Sequence, residues 1–189
     1  MLTRTRILEE AAKLFTEKGY EATSVQDLAE ALGLSKAALY HHFRSKEEVL
    51  YEISLLALEG LLREGEKALK EEDPKRALLL YMEAHARYLE ENFPFFAAML
   101  QGLSSLSQGR REATVALRDR HEANLRAILK RGVERGSFRP VDVALAGRAV
   151  LSMLNWMVRW FRPGGPMRAE EVARGYYDLI LRGLEREGA

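Results

Sequence analysis

Lys36, Ala37, Tyr40 and His41 stand close together in a chain that otherwise offers little concentrated chemistry. They bring an ammonium, a methyl, a phenol and an imidazole to one short segment, the groups of a recognition surface rather than of bond-breaking catalysis. Their spacing explains what places them. Val25, Leu28, Ala29 and Leu32 recur at helical intervals, so a first short helix buries one face. Thr23 or Ser24 can cap it, with Gln26 or Asp27 three residues on as the reciprocal partner. Gly33-Leu34 breaks the pattern, and Ser35 can cap a second helix. In that helix only Leu39 and Phe43 must point inward, which frees the four side chains above to face out. A short helix with a polar, aromatic and cationic outer face, braced by another across a glycine turn, suits the DNA major groove. Double-stranded DNA is the partner it implies.

The flanking residues complete the unit. Ile7, Leu8, Ala11, Leu14 and Phe15 form an apolar stripe at i, i+1, i+4, i+7 and i+8, and Gly19 sits where a glycine should end that helix. Ser45-Lys46-Glu47-Glu48 reads as a capping box that opens a further helix. Residues 3–50 then present, in register, IL-x-x-A-x-x-LF-x-x-x-GY-x-x-T, the turn region and LYHHF-x-SKE. This arrangement resembles the N-terminal domain of the TetR/AcrR transcriptional regulators.

The resemblance implies roles position by position. Gln26, Lys36, Ala37 and Tyr40 match positions that approach base edges, and His41, His42 and Lys46 match positions that approach phosphates. Lys46 has a rationale of its own, because a helix N-terminus bearing a lysine favours an anion. Ser24 can donate to a phosphate or simply cap its helix; Tyr40 can be a surface aromatic and His42 a core histidine. Ala37 and Ala38 stand where the family often carries glycine and threonine. That removes one hydroxyl contact and leaves methyl surface for a thymine methyl.

Charge argues for specific rather than bulk attraction. Residues 1–50 hold seven basic against eight acidic side chains, and the chain carries a net charge of +1. The basic residues Arg4, Arg6, Lys36, Arg44 and Lys46 gather at the N-terminus and around the second short helix, whereas many of the acids lie on the first helix. Modest non-specific affinity follows. With no cysteine there is no disulfide, thiolate metal site or cysteine nucleophile. The opening MLTRTRILEE lacks the apolar core of a signal peptide, and the uncharged run 92–109 is too polar to span a bilayer, so a cytoplasmic protein with no membrane partner is expected. No cofactor, no metal site and no enzymatic activity are implied: there is no glycine-rich phosphate loop, no nucleophile–base spacing and no prominent carboxylate pair.

After residue 45 the pattern is helical throughout. Helices are expected over about 46–72, 74–92, 93–103, 110–134, 140–161 and 168–187, with SSLSQG as a loop and Arg162-Pro163-Gly164-Gly165-Pro166 as a break. The expected architecture is all-α: a helix-turn-helix DNA-binding domain over residues 1–45 and a helical ligand-binding and dimerisation domain over 46–189, joined by a shared helix. Tyr81, His85 and Tyr88 fall on one side of their helix, and the next helix supplies Phe96, Met99 and Leu103. With His121 these can line an apolar pocket, or form ordinary core. His85 and His121 lie on different helices with no carboxylate at ligand spacing.

The segment NWMVRWFRPGG, residues 155–165, sets Trp156 and Trp160 one turn apart with Arg159 and Arg162 beside them. Such a surface can stack a purine and pair with phosphates. It resembles a stretch of the TetR subgroup that responds to acyl-CoA thioesters, including repressors of fatty-acid, aromatic-acid and steroid breakdown. The same aromatics can also anchor a dimer, since the last two helices of the family usually form that interface. The reading that results is a ligand-responsive repressor, binding a palindromic operator as a homodimer and released by an acyl-CoA through Trp156, Arg159 and the pocket residues. A drug-like hydrophobe as effector, and a helical lipid or acyl-CoA carrier that does not bind DNA, are the competing readings.

Overall fold

The computed structural model describes residues 4–184. Among them are nine α-helices and no strand: α1 (Arg4–Lys18), α2 (Val25–Ala31), α3 (Lys36–His42), α4 (Lys46–Ala68), α5 (Pro74–Glu91), α6 (Phe93–Gly102), α7 (Gln108–Glu134), α8 (Val143–Trp160) and α9 (Ala169–Leu184). A single 3-10 turn, Leu103–Ser105, joins α6 to α7. The chain divides into two compact units, residues 1–59 with 92–115 and residues 60–91 with 116–189. Helices α4 and α7 each contribute residues to both.

In the first unit the stripe expected on α1 is buried: Ile7, Leu8, Ala11, Ala12 and Phe15 meet Leu28 and Ala29 of α2, Leu39 of α3, and Val49, Leu50 and Ile53 of α4. Phe15 and Tyr20 close one side edge to face, 5.1 Å apart. Helix α6 lies along α1, where the Thr16 hydroxyl bonds the Pro94 carbonyl at 3.1 Å. Two turns need a left-handed backbone, and glycine supplies it at Gly19 (φ 90°) and Gly33 (φ 65°). Ser24 and Asp27 form the full capping box of α2, and Ser35 caps α3. Thr23 instead donates to the Gly19 carbonyl.

The second unit is held by α5 against α9. Arg87 pairs with Glu170 at 2.7 Å, Arg174 with Glu83 at 2.5 Å, and the Tyr177 hydroxyl donates to the Lys75 carbonyl at 3.0 Å. Beneath these lie Leu78, Tyr81, Met82 and Leu89 of α5, Leu125, Ile128 and Leu129 of α7, Leu154 and Met157 of α8, and Ala173 of α9.

Several boundaries differ from the sequence expectation for physical reasons. Helix α4 ends at Ala68 rather than near residue 72, because Arg131 draws off the carbonyls of Leu69 and Glu71. Helix α7 begins two residues early, and just before it Glu47 accepts from the Ser107 N–H. Helix α8 starts at Val143, capped by Asp142, and not at Pro140; the Arg139 N–H is tied to the Leu184 carbonyl, outside any helix. In the Ser45 box, Ser45 does accept from the Glu48 N–H, but the Glu48 carboxylate turns to the Arg44 N–H. The last expected helical residues, 185–187, lie outside the described region.

Candidate nucleic-acid interface and effector residues

Helix α3 carries the outward face the sequence implies. Leu39 and Phe43 are buried, while Lys36, Ala37, Tyr40 and His41 are exposed, Tyr40 to 50 %. Two further candidates are already engaged locally. Ser24 caps α2, and Gln26, exposed on α2, donates to Glu30 at 2.6 Å. His42, half-buried at the end of α3, presents its carbonyl to Arg4. Lys46 donates to the Tyr20 carbonyl at 2.8 Å with its ammonium 4.1 Å from the Tyr20 ring, so it braces the turn between α1 and α2. Burial pushes the Tyr20 hydroxyl up to about 12.

Sequence reading missed the part played by Arg4. Its guanidinium bonds the Glu52 carboxylate through two nitrogens, donates to the His42 carbonyl and lies 4.0 Å over the Phe43 ring. One side chain of α1 thereby ties the C-terminal end of α3 to α4. Arg110 acts similarly on the first turns of α4, pairing with Glu47 at 3.2 Å and lying 5.4 Å over the Tyr51 ring. The backbone N–H of Ser107 holds the Glu47 carboxylate below its ordinary range.

The expected effector residues fall in both units. Phe96 and Met99 are buried in the first, and Leu103 leans on its core. In the second, Tyr81, His85 and His121 form a buried polar cluster. The imidazoles meet Nδ1 to Nε2 at 3.2 Å, Tyr81 stacks on His121 with centroids 4.9 Å apart, and the Tyr81 hydroxyl donates to the His121 carbonyl at 2.9 Å. Asn155 of α8 bonds His85, a contact between distant positions that the sequence does not mark. The Tyr88 ring fills the space a side chain at Gly60 would take. On α8, Trp156 is 64 % and Trp160 45 % exposed, and the Arg159 guanidinium stands 5.8 Å from the Trp156 ring centre. Arg162 lies beyond the end of α8, so it does not continue the Arg159 face as helical spacing had implied.

Desolvation holds both imidazoles neutral: His85 is pushed well below 6.5, with His121 as a further cause, and His121 is pushed down to about 3. On acidification the unfolded chain therefore takes up these protons first. Stability is unaffected above about pH 6.5 and falls below it, by about 1.4 kcal/mol per pH unit for each histidine. Melting temperatures from pH 7.5 to 4 should show this decline, and His121→Gln should flatten it. An equal slope in the variant would contradict a buried neutral pair.

A capped helix, a glycine turn and a second helix with a polar outer face define a helix-turn-helix DNA-binding regulator. Residues 7–53 match the profile of bacterial regulatory proteins of the tetR family, and residues 71–184 that of the tetracyclin repressor-like C-terminal domain. The chain belongs to the TetR family of transcriptional regulators and is not an enzyme. It is 32% identical over 188 residues to the HTH-type transcriptional repressor KstR2 of Mycobacterium tuberculosis, covering 98% of this chain and 94% of that protein. Among solved structures, the TetR family regulator PfmR from Thermus thermophilus superposes with a TM-score of 0.92 at 81% identity, covering 96% of this chain and all of that one. AibR, solved in complex with isovaleryl coenzyme A and operator DNA, gives a TM-score of 0.84 at 26% identity, covering 94% and 97%.

Proposed function

We propose that this regulator is a homodimeric repressor that releases a near-palindromic operator when an acyl-CoA thioester binds. Residues 1–45 read DNA through α3, and residues 46–189 hold the effector and the partner subunit. Two recognition helices about 34–36 Å apart enter successive major grooves. The dimer is supported by an exposed strip on α8, Leu145, Ala149 and Ser152, and another on α9, Gly175, Leu179 and Gly183. Effector binding favours a dimer geometry that no longer fits this spacing, by no more than its differential affinity for the two forms.

The acyl-CoA reading is carried by one observation, the exposed Trp156 with Arg159 beside its ring and Trp160 one turn on. An indole face and a guanidinium suit an adenine and its phosphates. The complex of AibR with isovaleryl coenzyme A supports the same ligand class. A thermal-shift titration tests it with acyl-CoAs of several chain lengths, phenylacetyl-CoA, free CoA and free fatty acids. A thioester at 100 times its Kd adds about 2.7 kcal/mol, a rise of roughly 5–10 °C for a chain of this size. Arg159→Ala should reduce that shift, and free CoA should give little. No shift with any thioester would sink the acyl-CoA assignment and point to a drug-like hydrophobe.

A further inference from the structure

The first unit carries an open cleft of about 530 Å³, lined by α1, α4 and the start of α7, within the size range of small-molecule sites. Its aliphatic surface comes from Leu8, Leu55 and Leu56, and Tyr51 adds an aromatic one. The rim is charged and unevenly so. Arg4 is matched by Glu52, and Arg110 by Glu47 just behind the rim. One carboxylate remains. Glu48 already accepts from the Arg44 N–H and lies 3.9 Å from Arg4, whereas Glu59 is exposed with no cationic partner among the described residues. Leucine and tyrosine surface under an excess of carboxylate complements a lipophilic cation and repels a polyanion such as a CoA nucleotide.

We propose that this cleft is a small-molecule site for a lipophilic organic cation, held by Glu59 over Leu55, Leu56 and the Tyr51 ring. It is separate from the Trp156 surface and stands whether or not the acyl-CoA reading does. Its position gives it consequence: Arg4 forms part of its wall and also holds the His42 carbonyl at the end of α3. A bound cation lies one side chain away from the recognition helix.

The test is calorimetric titration of the full-length protein with tetraphenylphosphonium and with its near-isosteric anion tetraphenylborate, in the absence of DNA and acyl-CoA. The phosphonium should bind once per chain and at least tenfold more tightly than the borate. Glu59→Gln should weaken it about tenfold, and Glu59→Lys should abolish measurable binding, both variants melting as wild type does because Glu59 is exposed. Absence of phosphonium binding, equal affinity for the borate, or affinity unchanged in both variants would overturn the proposal. None of these results bears on the thioester titration, so the two assignments fail separately.

Discussion

Leu179→Glu is expected to split the dimer and lower operator affinity by about 10²- to 10⁴-fold, the advantage that linking two binding modules confers. Leu179 is 68 % exposed on α9, and Gly175 and Gly183, one turn away on either side, leave open space around their backbones. On α8, Leu145 is 66 % exposed. A large leucine between two glycines is poorly suited to water but well suited to a closely approaching helix from a second copy. Glutamate there would bury two unpaired charges across a two-fold axis. Leu179 is mostly exposed in the isolated subunit, so light scattering should report a folded monomer. A variant that stays dimeric would move the interface off α9.

Tyr40→Ala should cost the dimer about 2–6 kcal/mol of operator affinity, at 1–3 kcal/mol per half-site, hence a loss of at least roughly 30-fold. Half of Tyr40 is exposed, and no ring contact or hydrogen bond from the described residues holds it, so its melting temperature should scarcely change. Loss of binding without loss of fold is the signature of a contact residue. Tyr40→Phe divides the effect: retention of affinity would assign it to the ring, and loss to the hydroxyl. Fluorescence anisotropy on a duplex selected by the protein from a random pool reads both. Unaltered affinity in Tyr40→Ala would remove Tyr40 from the base-reading set.

Local signals made much of the fold legible. The Ser24 and Ser35 caps, the glycines at 19 and 33 and the Asp73-Pro74 start of α5 each act within four residues, so spacing alone reveals them. The outward face of α3 follows from Leu39 and Phe43 by the same reasoning. Contacts between distant positions left no such trace. Arg4 meets Glu52 across 48 residues and Glu47 meets Ser107 across 60, and nothing in either neighbourhood marks the partner. Periodicity places the two histidines on different helices, but their contact depends on how α5 and α7 pack within the second unit. Pro140 misled because proline favours a helix start, yet Asp142 offers the better cap two residues later.

Effector-driven release of DNA is the centre of the account, and one titration addresses it. Anisotropy of the full-length protein on its selected duplex should be recorded with and without the acyl-CoA that gives the largest thermal shift, using free CoA as control. At least a tenfold rise in apparent Kd is expected with the thioester and little change with free CoA. A thioester that binds the protein yet leaves operator affinity unchanged would contradict it.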